Sequence, residues 1–313
     1  MPGRGKALSD ASFGEVFCVG LAIQDIILSV DAIPSSPVKI YARGRKEIGG
    51  GPAATASVAI ARLGGRAHFA GRTGADAVGR ALKEELEAEG VGTAWLKEFD
   101  GYLSPSSVIL VDRNGERLIV AYSDPDLPKD PTWLTPPDWG GAVLCDLSWP
   151  QGALKCLRAA RERGLPAVLD ADISRHGKDE VAELVAAADH VVFSRPGLAQ
   201  FAGTDDIADG LNLACRSSHV LVGVTDGAHG LYWREARGNV RNKRPPPVHV
   251  VDTVGAGDAF HGALALALAR RWPIDRAIDF CNAVAALKCS VPGGRAGLPN
   301  AEALEQFDPS FKV

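Results

Sequence analysis

Short apolar runs recur along the chain, and longer stretches with helical spacing separate them. Strands are expected at 16–22, 67–70, 142–146, 167–170, 190–193 and 220–224, with helices at 75–89, 152–163, 180–187 and 207–215. Uninterrupted apolar strands, as opposed to alternating ones, suit a parallel sheet covered by helices on both faces. Right-handed crossovers bring the carboxyl ends of such strands to one edge, where open α/β sheets bind ligands. Gly20, Asp146, Asp170, Ser194, Thr225 and Asp258 fall on that edge.

Two stretches break the alternation. Residues 26–48 and 106–122 read as short strands with turns at Pro34-Ser35-Ser36-Pro37 and Arg113-Asn114-Gly115-Glu116, the second an Asn-Gly hairpin signal. The expected organisation is an α/β core over 14–25, 49–105 and 123–313, a small β lid inserted as 26–48 and 106–122, and a flexible tail at 1–13.

The chemistry concentrates in Asp252-Thr253-Val254-Gly255-Ala256-Gly257-Asp258, ahead of an apolar helical stretch at 259–269. A strand at 248–251 would feed a tight turn, and the helix after it would present unpaired N–H groups and its positive dipole end to a phosphate. Asp258 then stands where an alcohol must lose its proton, while the Gly255, Ala256 and Gly257 amides face charge on a transferred phosphoryl group. An ordinary strand-to-helix turn with a capping aspartate uses the same letters. A second cluster shifts the balance: Gly49-Gly50-Gly51-Pro52 leads into an Ala-rich helix that closes in Arg62-Leu63-Gly64.

Together these segments resemble the PfkB (ribokinase-like) carbohydrate kinase family, whose carboxy-terminal signature Asp-Thr-x-Gly-Ala-Gly-Asp is matched in full. The resemblance runs from the first strand to Lys288-Cys289-Ser290-Val291-Pro292-Gly293-Gly294-Arg295. It implies a ribokinase-like fold, a central mostly parallel sheet with helices on both faces and a small β-sheet lid that closes over a sugar and often forms a homodimer surface. It also implies ATP as phosphoryl donor with Mg2+, and K+ in those relatives that need one.

Carried over position by position, the resemblance makes Asp258 the catalytic base and gives Asp25, Gly50 and Gly51 to the sugar. Thr55 stands where many members have a sugar-binding Asn. Thr225, Gly227 and Gly230 match the turn beside the nucleotide, and Lys288 and Gly293 match a segment near the adenine and the monovalent-cation loop. Where many relatives read Asn-x-x-Glu near magnesium, this chain reads Ser194-Arg195-Pro196-Gly197, so the metal ligands are unknown; Asp170 and Asp172 are candidates to hold its water shell.

Several strings, including Ile48 to Ala56 and Ala285 to Gly297, look closest to the sulfofructose kinase branch, which phosphorylates 6-deoxy-6-sulfofructose. Of the Lys, Asn and Arg in that branch's anion pocket, Lys39 keeps the first, whereas Ala121 and Ser148 fall at the others. Charge-assisted hydrogen bonds contribute about 1.5–3 kcal/mol each, so two lost donors weigh against a sulfonate there. A neutral ketose or another sugar acid stands beside it as acceptor.

Composition adds limits. The chain has 313 residues, 46% hydrophobic and 23% charged, enough for one sizeable α/β core. A net charge of −4 gives no basic field for nucleic acid or an anionic membrane, so small metabolites are the expected partners. With no signal-like opening and no membrane-length apolar run, the expected location is cytoplasmic. Six scattered cysteines form no Cys-x-x-Cys pair and read as reduced core residues, and His261 as a packing residue on the helix of Asp258. The rival readings are a nucleoside kinase of the same fold and a non-catalytic sugar or nucleotide sensor. A dinucleotide oxidoreductase is weaker, because no Gly-x-Gly-x-x-Gly follows the first strand.

Overall fold

The structure is a computed structural model that describes residues 14–138, 141–236 and 238–312; the expected tail at 1–13 lies outside the described residues. From the N-terminal side the chain forms β1 (Glu15–Gly20), β2 (Ile23–Ser29), β3 (Gly44–Gly50), α1 (Pro52–Arg62), β4 (Arg66–Gly74), α2 (Ala77–Ala88) and β5 (Gly92–Phe99). Next come β6 (Ser106–Val111), β7 (Arg117–Tyr122), β8 (Ala142–Cys145), α3 (Pro150–Glu162), β9 (Ala167–Ala171), α4 (Lys178–Ala187) and β10 (His190–Ser194). The remainder is α5 (Arg195–Ala202), α6 (Ile207–Ala214), β11 (Leu221–Thr225), β12 (Leu231–Arg234), β13 (Arg241–Lys243), α7 (Ala256–Ala269), α8 (Ile274–Cys289) and α9 (Ala301–Phe307).

Nine strands make one sheet in the order β13-β12-β11-β10-β9-β8-β1-β4-β5, parallel except for β12 and β13. The pleat sends alternate residues to opposite cores. Val16 and Cys18 face α1, α7 and α8, while Phe17 and Val19 face the cluster built with α3 and α4. The cysteines are free, and Cys18, Cys145, Cys156 and Cys281 are buried. No described helix is long and apolar enough to cross a membrane.

The second sheet has four strands in the order β3-β2-β6-β7. Its β6–β7 hairpin turns at Asn114-Gly115, where Gly115 has φ 83° and the Asp112 carboxylate accepts the Asn114 and Glu116 N–H groups. Asp25 belongs to this sheet, because β2 starts at Ile23 instead of after residue 25.

Other expectations fail for physical reasons. Residues 248–251 form no strand; Pro245-Pro246-Pro247 precede them, and proline withholds the N–H that a sheet ladder needs. The pattern also missed β5, β12, β13, α5, α8 and α9, short elements or ones with polar residues interspersed among the apolar ones.

What places the site is the crossing of α1 and α7. A Cβ on Gly262 would lie 2.7 Å from the Ala56 carbonyl oxygen, so the two helices touch backbone to backbone. Their N-termini, at Gly51 and Gly255, therefore open side by side at the sheet edge, and Thr55 of α1 packs its methyl toward Gly255.

Candidate active site

Helix α7 begins at Gly255, which has φ 77°, and no side chain caps it. Its first-turn N–H groups thus stay open to an anion, except Ala256 N–H, which donates to the Thr253 carbonyl at 3.2 Å. Asp258 lies in that first turn. Burial, reinforced by the nearby Asp170 carboxyl and opposed by His261, pushes Asp258 up to about 8. A carboxyl in that range can take a proton from an alcohol near neutral pH.

His261 is buried one turn beyond Asp258. Its Nδ1 is 2.8 Å from the Gly257 carbonyl oxygen and 3.3 Å from Asp170 Oδ2, and its Nε2 is 3.1 Å from the Val192 carbonyl oxygen. Three oxygens around one ring call for two N–H donors, which favours an imidazolium paired with Asp170. Burial acts the other way, lowering His261 and raising Asp170 well above the carboxylate range. Either arrangement leaves a pair that is neutral as a whole and titrates as one unit with Asp258. The packing role expected for His261 agrees with its burial, and the ring also lowers the proton affinity of Asp258.

The start of the loop is anchored instead of reactive. Asp252 accepts N–H groups from Val254 (3.0 Å), Gly293 (2.8 Å) and Gly294 (3.3 Å). Burial works to raise it, but those donors and the Lys288 ammonium bring it down to about 2. From the small sheet, Arg117 reaches Asp252 Oδ1 at 3.1 Å. The Lys288 side chain is wholly buried, and its ammonium donates to the carbonyls of Asp252 (3.1 Å) and Val291 (3.2 Å). Lys288 is a strut between the 252–258 loop and the 291–294 turn and does not line the cavity that holds Thr225, Gly227 and Gly230, so the place near the adenine that the resemblance implied is not seen. A potassium ion does not fit those two carbonyls, which the ammonium already takes.

Across from α7, the β3–α1 turn is built by close approach. A Cβ on Gly50 would fall 2.3 Å from Asp25 Oδ2, and one on Gly51, at φ 95°, would fall 2.2 Å from the Leu21 carbonyl oxygen. The Asp25 carboxylate accepts Ser107 Oγ–H at 2.5 Å, and burial raises it despite that bond. Two buried charged groups brace this turn. Arg295 donates to the Gly50 carbonyl (2.9 Å) and pairs with Glu85 (3.0 Å), which accepts the Gly49 N–H. Asp146 accepts N–H groups from Leu21, Ala53 and Ser148, tying β1, α1 and β8 together. Sequence reasoning gave neither residue a site role. The signal for Asp146 was its place at the strand edge; for Arg295 there was none.

Lys39 lies on the exposed 30–43 loop with its ammonium 5.1 Å from the Tyr41 ring centre. Ala121 and Ser148 line a different feature, a cavity of about 650 Å³ between the sheet edge and the small sheet. A second cavity, of about 560 Å³, is lined by Thr225, Gly227, Gly230, Val250, Gly257 and Phe260 among others. Gly230 is required there, since at φ 82° a Cβ would meet the Lys243 carbonyl oxygen at 2.0 Å. Asp172 is exposed at the strand edge and accepts the Ser194 hydroxyl, while Ser194 Oγ caps α5 through Gly197 N–H. Among the described residues no group of three or more His, Cys, Asp or Glu forms a ready metal cage.

The family model for pfkB family carbohydrate kinases matches residues 14–301. The chain belongs to the PfkB family of carbohydrate kinases. It is thus a phosphotransferase with an alcohol group as acceptor. Its relatives include a fructokinase of Vibrio alginolyticus, 29% identical over 89% of this chain and 95% of that one. A candidate ribokinase of Agrobacterium tumefaciens has a solved structure that superposes with a TM-score of 0.88 at 35% identity, covering 96% and 99% of the two chains. The aminoimidazole riboside kinase of Salmonella enterica, solved with aminoimidazole riboside and an ATP analogue, superposes at 0.76 with 25% identity over 94% and 99%. The ribokinase-like architecture of a large mostly parallel sheet plus a small four-stranded one is shared with these PfkB kinases.

Proposed function

We propose that this kinase transfers the γ-phosphoryl group of ATP to a hydroxyl of a small sugar or sugar acid, with Asp258 as general base. The observation that carries the reading is Asp258 itself, a carboxyl raised to about 8 at the uncapped start of α7, next to Gly257 on the wall of the 560 Å³ cavity. That cavity takes the nucleotide, with Thr225, Gly227 and Gly230 along it. Asp258 accepts the hydroxyl proton as the alcohol oxygen attacks in line, and the loop amides face the transferring oxygens. Because Ala256 N–H is shared with Thr253, the Gly255 and Gly257 amides carry most of that role.

Magnesium on the nucleotide phosphates supplies charge neutralisation when bound. Asp172, exposed at the strand edge, would hold its water shell, whereas Asp170 lies 3.3 Å from His261. No step is assigned to potassium. On the acceptor side, Asp25 receives sugar hydroxyls and Gly50 and Gly51 let the sugar approach the backbone. The acceptors that fit this reading are 6-deoxy-6-sulfofructose or another ketose, and the similarity to an aminoimidazole riboside kinase supports nucleosides as the second class. The reading places the enzyme in the cytoplasm and pairs it with a second copy through β7, an edge strand on which Ile119 and Val120 are 59% and 62% exposed.

ADP release with ATP and magnesium tests the function across fructose, fructose 6-phosphate, sulfofructose, ribose, 2-keto-3-deoxygluconate and adenosine. Turnover that Asp258→Asn abolishes, with ATP binding retained, supports the kinase reading. ATP binding without turnover of any acceptor favours a sensor.

A further inference from the structure

The 650 Å³ cavity is lined by the cations Arg72, Lys129 and Arg175 and by the carboxylates Asp124 and Glu180. Arg72 of β4 extends into it over Trp149, the guanidinium carbon 4.8 Å from the ring centre, and donates from Nη1 to the carbonyls of Leu127 (3.3 Å) and Pro128 (3.0 Å). It makes no ion pair among the described residues. Burial lowers it to about 10, with Asp146 opposing and the positive Arg175 adding to the shift. Arg175 and Lys129 stand on the same wall, both exposed.

Two acidic groups share that wall. Glu180 lies 3.2 Å from His176 and Asp124 accepts the N–H groups of Leu103 and Asp126, while Asp146, outside the lining, is held by its three backbone donors. Neither guanidinium is in an ion pair among the described residues, and both line the cavity. A guanidinium holding two carbonyls through Nη1 still has its Nη2 donors to offer, and desolvation strengthens any bond they make.

We infer that the acceptor carries an anionic substituent, a carboxylate, sulfonate or phosphate, which Arg72 and Arg175 bind at the end of the cavity away from the reacting hydroxyl. Ile23 lines this cavity and Asp25 lies two residues on along β2, on the same face, so one sugar can reach both the guanidiniums and the hydroxyl-binding carboxylate. The donors missing at Ala121 and Ser148 are thus replaced from β4 and from the loop after β9, positions that no comparison with a sugar-binding pattern singled out. This inference rests on the kinase reading for the identity of the site, though not for the binding itself.

The test pairs ADP release with direct calorimetric binding, using fructose against fructose 6-phosphate, 6-deoxy-6-sulfofructose and 2-keto-3-deoxygluconate. The proteins are the wild type, Arg72→Gln and Arg175→Gln. Arg72 also pins the 127–128 loop, so Arg72→Gln can fail to fold; Arg175→Gln, at an exposed position, keeps the test decisive. The expected result is that at least one anionic sugar exceeds fructose at least tenfold in kcat/KM, and that each variant lowers that preference about ten- to hundredfold through KM, with kcat little changed. The three anionic arms then name the substituent. Fructose turned over as well as every anionic sugar, or equal losses for neutral and charged acceptors, overturns the subsite and leaves the kinase standing. Arginine-dependent binding of an anionic sugar without phosphorylation keeps the subsite and overturns the kinase reading.

Discussion

Asp252 and Asp258 open and close one seven-residue loop, yet their carboxyls sit about six pH units apart, near 2 and near 8. Both are partly withdrawn from water. Asp252 has three backbone N–H donors and a lysine ammonium within reach, whereas Asp258 accepts no hydrogen bond among the described residues and has Asp170 for a neighbour. Donors stabilise the charged form and burial without donors destabilises it. The anchored carboxylate fixes the loop, and the unanchored one keeps a high proton affinity, as a general base near neutral pH requires.

The largest expected effect comes from removing the reactive member. Asp258→Asn should lower kcat by about 10²–10⁴-fold in the ADP-release assay with nucleotide affinity retained. It should also be more stable than wild type at pH 9, by roughly 1–3 kcal/mol, since a carboxyl raised to about 8 in the folded state loses stability as pH climbs from the ordinary carboxylate value to about 8, and that loss is complete at pH 9. A variant that loses both activity and stability at pH 9 would break the contrast with Asp252.

Asp252→Asn should be the mirror image. The depressed carboxylate contributes stability that is fully present above about pH 4 and is lost as pH falls toward 2, so the gap between wild type and variant in urea midpoint should be full at neutral pH and close in acid. A tenfold or larger drop in kcat/KM should accompany it, from a loop no longer tied to Gly293 and Gly294.

A pH profile sharpens the comparison next. The kcat/KM of wild type should rise with pH and level off above about 8, reporting the linked Asp258, Asp170 and His261 cluster. His261 lowers Asp258, so His261→Gln should move that rise to higher pH and cost several-fold in rate at pH 7, with the high-pH plateau largely recovered. An unmoved profile would reduce His261 to packing.

The smallest effect belongs to the four-stranded sheet. Arg117 and Asp252 form a partly exposed pair across the two sheets, and such pairs contribute about 0–1 kcal/mol. Arg117→Ala should therefore shift the melting temperature by only a degree or two while raising the acceptor KM more than it changes kcat.

The sequence by itself determined the elements with strong periodicity and the residues whose chemistry is local. The runs at β1, β8, β9, β10 and β11 were legible because a strand buried on both faces has few polar letters, and the Asn114-Gly115 turn because its backbone demands small or permissive residues. The helix starts at Gly51 and Gly255 were legible as well, since a tight turn at positive φ into a helix favours glycine. Tertiary structure alone decided which identical residue types do which work. Asp146, Asp170, Asp252 and Asp258 differ in the donors and charges that other segments bring to them. Lys288 became a strut and Lys39 a loop residue on Tyr41, while Arg72 and Arg295 acquired buried roles that their local sequence does not signal. Proton affinity and binding depend on burial and on neighbours distant along the chain, and these exist only after α1 and α7 have crossed and the two sheets have met.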